Sequence, residues 1–433
     1  MWRRALLSLL LTLVVSPLCA QQEGQQERQQ KGQQKEQQEE LQEEQQKEQQ
    51  EEQQEEQYII NGDTITYRYT PIDQTFTTAT EPRGKFGRWL DNYLNGGSKD
   101  VGDGVGFSLI GGPAYSSETS LRFTIIGSLN YRTRHIALDV QPSNLSLAAS
   151  VSITGFYRIE LWGHNFLGSG RHRLFYRIDV SSQPTKIWGL DYASSLDNHY
   201  GRYSAKRGLA QLRYNYAVAR NTYIGLYGDY RYVAARKIDD YAATILDGHP
   251  TTASSAGFGV NLTYDSRDVT TEPHRGIYAT AEFVARPKVL NNLGANLWQI
   301  TATFNAFQPL WRGAILAFDL YGEFHSEDTP WMLRAELGNE WRMRGYYAGR
   351  FNGNNMITTQ LELRQQIWNR LGCVAWGGGG VLFSRDEKLA WKRVLPNYGV
   401  GLRWEFSKRS NLRIDFGFGR DTFGIVVGVN EAF

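Results

Sequence analysis

Seven histidines, at positions 135, 164, 172, 199, 249, 274 and 325, are the first candidates for metal or acid–base chemistry. No two stand four apart, so the spacing that sets two imidazoles on one helical face for zinc is missing. Gly168-Ser169-Gly170 lacks the spacing of a nucleophile elbow and reads as a turn. Gly102, Gly104 and Gly106 open no helix, so they do not form a dinucleotide loop. These residues argue against an enzyme, and neither a cofactor nor a metal is expected. The remaining chemistry is that of charge. Ten arginines (122, 158, 177, 213, 231, 267, 334, 364, 403 and 413) each fall on the polar face of an alternating run. Eleven acids share those faces: Glu160, Asp179, Asp229, Asp265, Glu282, Asp319, Glu323, Glu336, Glu362, Glu405 and Asp415. A set so nearly neutral cross-pairs within an interior and makes a poor filter for ions of one sign.

The elements that must carry these charges are strands. In Leu412, Ile414, Phe416 and Phe418 against Arg413, Asp415, Gly417 and Gly419, every second side chain changes character, as a half-buried strand requires. The pattern returns in Leu212 to Val218, Phe258 to Asp265, Leu316 to Phe324 and Val400 to Phe406. Fifteen to seventeen such runs, each about nine to twelve residues long, fill the chain from about residue 104 onward. Strands of soluble sandwiches are nearer five or six residues, whereas about ten cross a bilayer at barrel tilt. The pattern predicts an all-β fold, a transmembrane antiparallel β-barrel of about 16 strands over residues 102–433. Even strand number and closure satisfy every backbone edge in hydrocarbon.

Three other segments precede it. Arg3 and Arg4, an apolar run to Val15 and a Ser16-to-Ala20 end have the layout of a secretory signal peptide over residues 1–20. Cleavage after Ala20 leaves Cys373 as the only cysteine, so no internal disulfide is expected. Residues 21–57 hold 18 Gln, 12 Glu and four Lys or Arg in a repeating QQ-x-x unit with one apolar residue, Leu41, and read as a disordered or transiently helical tract, at most a weak coiled coil. Residues 58–101 form an extension in which Trp89, Leu90, Tyr93 and Leu94 share one stripe of a short amphipathic helix. The overall charge of +2 combines +2 in the first twenty residues and −8 in the tract, leaving +8 for residues 58–433. That composition excludes a small disulfide-stapled domain, a helical inner-membrane protein and a nucleic-acid binder driven by bulk charge.

Residues 341–364 read WRMRGYYAGRFNGNNMITTQLELR. Arg344-Gly345-Tyr346, then Gly349-Arg350-Phe351 and Leu361-Glu362-Leu363-Arg364, resemble the sixth extracellular loop and following strand of the BamA/TamA-type bacterial surface-antigen family. Asp265, Arg267 and Asp268 with Gly276 are similar to that family's strand-and-turn motif, and Asn411 to Gly419 with the Glu431-Ala432-Phe433 ending is similar to its last two strands. Phe423, Ile425, Val427, Val429 and Phe433 are read as one face of the last strand, an ending that resembles a signal for barrel assembly. Met343 stands where the family usually has Val or Ile, a volume-conserving change. Trp376-Gly377-Gly378-Gly379-Gly380 carries no carboxylate where many relatives have one facing the loop. A lumenal guanidinium needs a partner, so Glu362 and Asp415 are the acids expected to hold Arg344, and the glycine run is expected to leave room for the loop.

The resemblance implies a loop 6 folded into the lumen and an outer membrane of a Gram-negative bacterium as the location. It also implies a lateral seam between the first strand, with Gly106, Gly111 and Pro113, and the last, with Gly424, Gly428 and Phe433. Glycine and proline weaken strand pairing there. Relatives usually carry periplasmic POTRA domains; about 44 non-repetitive residues precede the barrel here, so a barrel-only member is expected. Partners implied are outer-membrane lipid, and unfolded outer-membrane protein clients or periplasmic or outer-membrane accessory subunits, without nucleic acid. The function implied is assembly or translocation of clients, with a passive channel as the competing reading.

Overall fold

The computed structural model describes residues 55–60, 63–68, 105–131, 143–167, 170–270, 272–368, 370–407 and 410–433. The expected signal peptide, most of the Gln/Glu tract and the helix of residues 86–94 lie outside these. The chain divides into two units at residues 75 and 76. In the first, β1 (Glu55–Ile60) and β2 (Asp63–Arg68) pair as an antiparallel hairpin, so the strand begins within the last three residues of the tract.

The second unit holds β3 (Val105–Ser116), β4 (Ser120–Tyr131), β5 (Ser143–Ser152), β6 (Tyr157–Leu167), β7 (His172–Ile187) and β8 (Gly201–Ala219). There follow β9 (Thr222–Arg236), β10 (Thr252–Asp265), β11 (Gly276–Arg286), β12 (Leu297–Pro309) and β13 (Ala314–His325). Two three-residue strands, β14 (Ala335–Leu337) and β15 (Phe351–Gly353), interrupt the series. It ends with β16 (Asn355–Trp368), β17 (Leu371–Phe383), β18 (Leu395–Ser407), β19 (Ser410–Gly419) and β20 (Thr422–Val429). All except β14 and β15 close into one 16-stranded barrel in which sequence neighbours pair antiparallel and β20 returns to β3.

The period-two pattern decides which way each side chain faces. On β10, Phe258, Val260 and Leu262 point outward and are more than half exposed, while Asn261 between them is buried. Asp319, Glu362 and Asp415 have no exposed surface at all. Apolar groups outside and charges inside invert the pattern of a water-soluble protein; lipid is the solvent that makes it favourable. Short turns at residues 220–221 and 310–313 mark one rim, and longer loops at 188–200, 237–251 and 326–354 the other, the periplasmic and extracellular ends of such barrels. No helix among the described residues is long and apolar enough to cross a membrane.

The polar faces pair as ions. Arg158 binds Asp179, Arg177 lies 2.7 Å from Glu160, Arg213 2.5 Å from Glu282, and Arg286 2.7 Å from Asp229. Three of the wall charges are misplaced by the alternation argument: Arg334 and Glu336 belong to residues 326–354 and Arg267 to the turn after β10, outside the sixteen wall strands. Short alternating stretches inside a folded loop look the same as wall strands to a period count. The position of Phe433 is a further correction. β20 stops at Val429; Asn430 turns the chain with φ +64°, and Phe433 leaves the lipid face to lie in the lumen against Phe307, Ile315 and Ala317 of β12 and β13. Glu431 explains the departure, since continuing the strand would carry its carboxylate onto the lipid face.

Candidate functional site: the seam and the loop that spans it

Residues 326–354, the connection between β13 and β16, fold into the barrel. Their base is the β14–β15 hairpin, registered from Ala335 opposite Gly353 to Leu337 opposite Phe351. Leu337, Met343, Tyr346 and Phe351 pack with Tyr192, Met356, Leu382 and Leu395 in one buried apolar cluster. Three arginines of the loop then reach three different places. Arg342 forms a two-pronged pair with Asp319 at 2.7 and 2.8 Å and lies over the Tyr321 ring. Arg350 donates to Asn198 Oδ1 at 2.9 Å, in the 188–200 loop.

Arg344 is wholly buried between walls. Its Nη2 donates to Glu362 Oε2 on β16 at 2.6 Å and its Nη1 to Asp415 Oδ2 on β19 at 2.9 Å; its guanidinium carbon lies 3.6 Å from the centre of the Trp376 ring on β17. The two carboxylates serve other cations too. Glu362 accepts from Arg364 at 2.8 Å, and Asp415 from Arg403 at 2.6 Å and Arg413 at 3.3 Å. Arg403 and Arg364 in turn hold the end of the chain, Arg403 through Glu431 at 2.8 Å and Arg364 through the Phe433 carbonyl at 3.0 Å. Four guanidiniums and three carboxylates thus form one network from the loop to the residues after β20. Pairing of this density offsets the large cost of desolvating each charge.

The backbone at Arg344-Gly345 lies directly on β19 and β20. A Cβ at Gly417 would stand 2.2 Å from the Arg344 carbonyl oxygen, and one at Gly345, where φ is +107°, would stand 2.4 Å from the Gly417 carbonyl oxygen. Only glycine fits both positions. Met343 has φ +53°, a conformation that strains a β-branched residue more than an unbranched one. Thr422 Oγ1 donates to Gly345 O at 2.8 Å, and the Tyr346 hydroxyl accepts from Arg420 N and donates to Pro396 O, both at 2.7 Å. Burial raises the Tyr346 phenol above its ordinary pKa, against the pull of the Arg420 N–H.

The same loop crosses to the other side of the barrel closure. Glu340 lies 2.7 Å from Arg122 of β4, and Ala348 N donates to Glu118 Oε1, in the β3–β4 turn, at 2.9 Å. Between these anchor points the strands themselves barely meet: β20 and β3 share one registered pair, Val427 with Tyr115. By contrast, β19 and β20 pair continuously from Leu412 opposite Val429 to Gly419 opposite Thr422.

Residues 141–429 match the Omp85 superfamily domain. The chain belongs to the Omp85 superfamily. BamA from Haemophilus ducreyi, in a crystal structure lacking POTRA domains 1–3, superposes with a TM-score of 0.52 at 13% identity, over 75% of this chain and 70% of that one. CdiB from Escherichia coli gives 0.49 at 15% identity, and CdiB from Acinetobacter baumannii 0.48 at 13%; this chain spans 62% and 59% of their lengths. At such identity the BamA likeness establishes the fold alone; the Omp85 domain is what makes this a barrel of the Gram-negative outer membrane. No curated protein sequence matches this one.

In this Omp85 barrel the residues singled out in the sequence fall into three groups. Arg344, Gly345, Tyr346, Glu362 and Asp415 meet in one place, while Phe351 supports the loop base from the apolar cluster, Arg350 from the 188–200 loop, and Gly349 N donates to Leu337 O at 3.3 Å. Asp265, Arg267 and Asp268 lie elsewhere and build a periplasmic turn. Arg267 Nε and Nη2 each donate to Asp265 at 2.9 Å, and Asp268 Oδ1 accepts from His274 N at 3.0 Å. From that turn Glu272 reaches across to Asn411 of β19 at 3.0 Å. Burial opposes the charge of Glu272, but its contacts with His274, Asn411 and Arg364 hold the carboxyl below its usual range. Gly106, Gly111, Pro113, Gly424 and Gly428 lie on β3 and β20; Phe433 does not. Nothing in the sequence alone marks Asp319, Arg403 and Glu340 as members of the site, and little marks Arg342. The two-residue spacing of Arg342 and Arg344 is the available signal for Arg342.

Proposed function

We propose that this barrel inserts or translocates client proteins through the seam between β3 and β20, with no covalent chemistry. The observation that carries this reading is the closure itself, one registered pair bridged by a loop bonded to both sides. A strand edge freed in hydrocarbon has no water to satisfy it and will pair with an incoming strand. Loop 6 supports the reading as well, because it occupies the lumen that a passive channel would keep clear. The clients would be unfolded outer-membrane proteins, received from the periplasm directly or through accessory subunits and released into outer-membrane lipid. In this reading Glu362 and Asp415 seat loop 6 through Arg344, and Gly106, Gly111, Pro113, Gly424 and Gly428 keep the seam weak. Cysteines at Tyr115 and Val427, in a Cys373→Ser background, allow the seam to be locked by a disulfide. Assembly of client barrels should stop in the oxidised protein and return on reduction; full activity in the locked form would overturn the proposal.

A further inference from the structure

Charges on the described wall strands face the lumen, with four exceptions. By strand parity Lys186 on β7, Arg202 and Lys206 on β8 and Arg236 on β9 stand on the outward face, in line with Ile178, Val180, Leu212 and Tyr230, each about half exposed. No Asp or Glu of the described wall strands shares that face. All four cations lie on three adjacent strands, at the ends that adjoin the extracellular loops 188–200 and 237–251. The register brings them together: Lys186 stands directly opposite Arg202, and Arg236 stands opposite Ser204, between Arg202 and Lys206. Like charges directly opposite one another in an antiparallel pair repel. Among the described residues no carboxylate forms an ion pair with any of the four. Asp239 lies beside Arg202, but its carboxylate accepts from the backbone N–H groups of Arg202 and Ala242, at 2.7 and 2.8 Å. Lys186 and Arg202 share only the ring of Tyr200, 4.2 and 5.7 Å from its centre.

Below the cations the same face is apolar and hollow. Gly208 stands between Val180 and Tyr232, and Ala210 between Ile178 and Tyr230, so two small residues of β8 floor a slot walled by β7 and β9. Strands rise about 3.3 Å per residue and barrels tilt them by roughly 40°, which sets Lys206 about 30 Å above Val218 at the periplasmic end of β8. That is the level of the outer headgroups. A cation on the lipid face costs least there, yet four of them packed together still require an anion. We infer that this face of β7–β9 binds a phosphorylated, multiply acylated lipid of the outer leaflet. Lys186, Arg202, Lys206 and Arg236 take its phosphates, and an acyl chain lies along the slot over Gly208 and Ala210. Guanidiniums grip phosphate oxygens in pairs and ammoniums as point charges, and the bound phosphates remove the repulsion between Lys186 and Arg202. These strands do not border the closure between β3 and β20, so the inference stands apart from the proposed role of the seam.

The experiment takes the full chain in detergent and measures, by native mass spectrometry, retention of lipid A carrying two phosphates. The wild type should retain it, lipid A with a single phosphate should bind more weakly, and excess inorganic phosphate or an acidic polysaccharide should displace neither. Arg202→Gln combined with Lys206→Gln should lower retention at least about tenfold. Gly208→Leu, whose added Cβ meets Tyr232 at an ordinary 3.6 Å, fills the slot with all four cations in place and should lower retention severalfold. Heat-modifiable migration on gels reports that each barrel is folded, and Ala210→Leu makes the same comparison if Gly208→Leu does not fold. Retention equal to wild type in the folded charge variant or the folded slot variant would overturn the inference. So would displacement by inorganic phosphate, which needs no acyl chain, or by the acidic polysaccharide.

Discussion

Arg344 is bonded to two carboxylates from strands β16 and β19, and those carboxylates are shared with Arg364, Arg403 and Arg413. The sharing sets what substitution does. Glu362→Ala strips both Arg344 and Arg364 of an acceptor, and Asp415→Ala strips Arg344, Arg403 and Arg413 of theirs. Breaking a buried ion pair by removing one partner costs about 3–5 kcal/mol, because a desolvated charge is left behind. Either substitution should therefore release the loop and expose residues 341–353 to protease in intact cells, with Asp415→Ala the more severe. Equal protection of wild type and both variants would show that the loop is seated by its apolar cluster instead. The acids were legible in the sequence because a lumenal arginine demands a partner. Trp376 was visible as a residue but its role was not, since a guanidinium stacked on an indole leaves no spacing signature.

Strands were the most legible elements, because each must show one apolar and one charged face for the whole depth of the bilayer, and that requirement writes itself as period two. Ends of elements were less so. Glu431 interrupts the apolar face of the last strand in the sequence, yet only the arginines waiting in the lumen, contributed by β16 and β18, make it a turning point. Likewise the alternation at Arg334-Ala335-Glu336 gives no sign that it belongs to a hairpin within a loop. Loop 6 as an element bridges the seam: Thr422, Arg420 and Asp415 hold it on the β19–β20 side, and Arg122 and Glu118 on the β3–β4 side. The second set is smaller and partly exposed, with Arg122 retaining 18% and Glu340 25% of its side-chain surface. A pair of that kind contributes roughly 0.2–1 kcal/mol and weakens with salt. The β3–β4 side should then detach first. Glu340→Gln should raise the spread of distances between spin labels on Leu121 and Phe423 without loss of the folded, heat-modifiable band, and high salt should do the same to the wild type. An unchanged distribution in both cases would assign the bridging to Glu118 alone.

For the molecule as a whole, the near-zero net charge conceals an acidic leading tract and a barrel segment at +8, and within the barrel the charges of the wall are matched by those of the loop it encloses. Residues 341–353 contain Arg342, Arg344 and Arg350 and no acid. Two of the three neutralise wall carboxylates, Asp319, Glu362 and Asp415. Deleting the segment therefore does two things together: it empties the lumen of the folded loop and makes its interior more negative by three charges. A lumen made more negative favours cations. In planar bilayers the intact barrel should pass little current, and the barrel lacking residues 341–353 should show steady conductance with reversal potentials of a cation-selective pore under a salt gradient. Conductance that is already large in the intact protein would favour the passive channel over the seam. Conductance that rises without cation selectivity would mean that the wall arginines freed by the deletion, and not the acids, face the opened lumen.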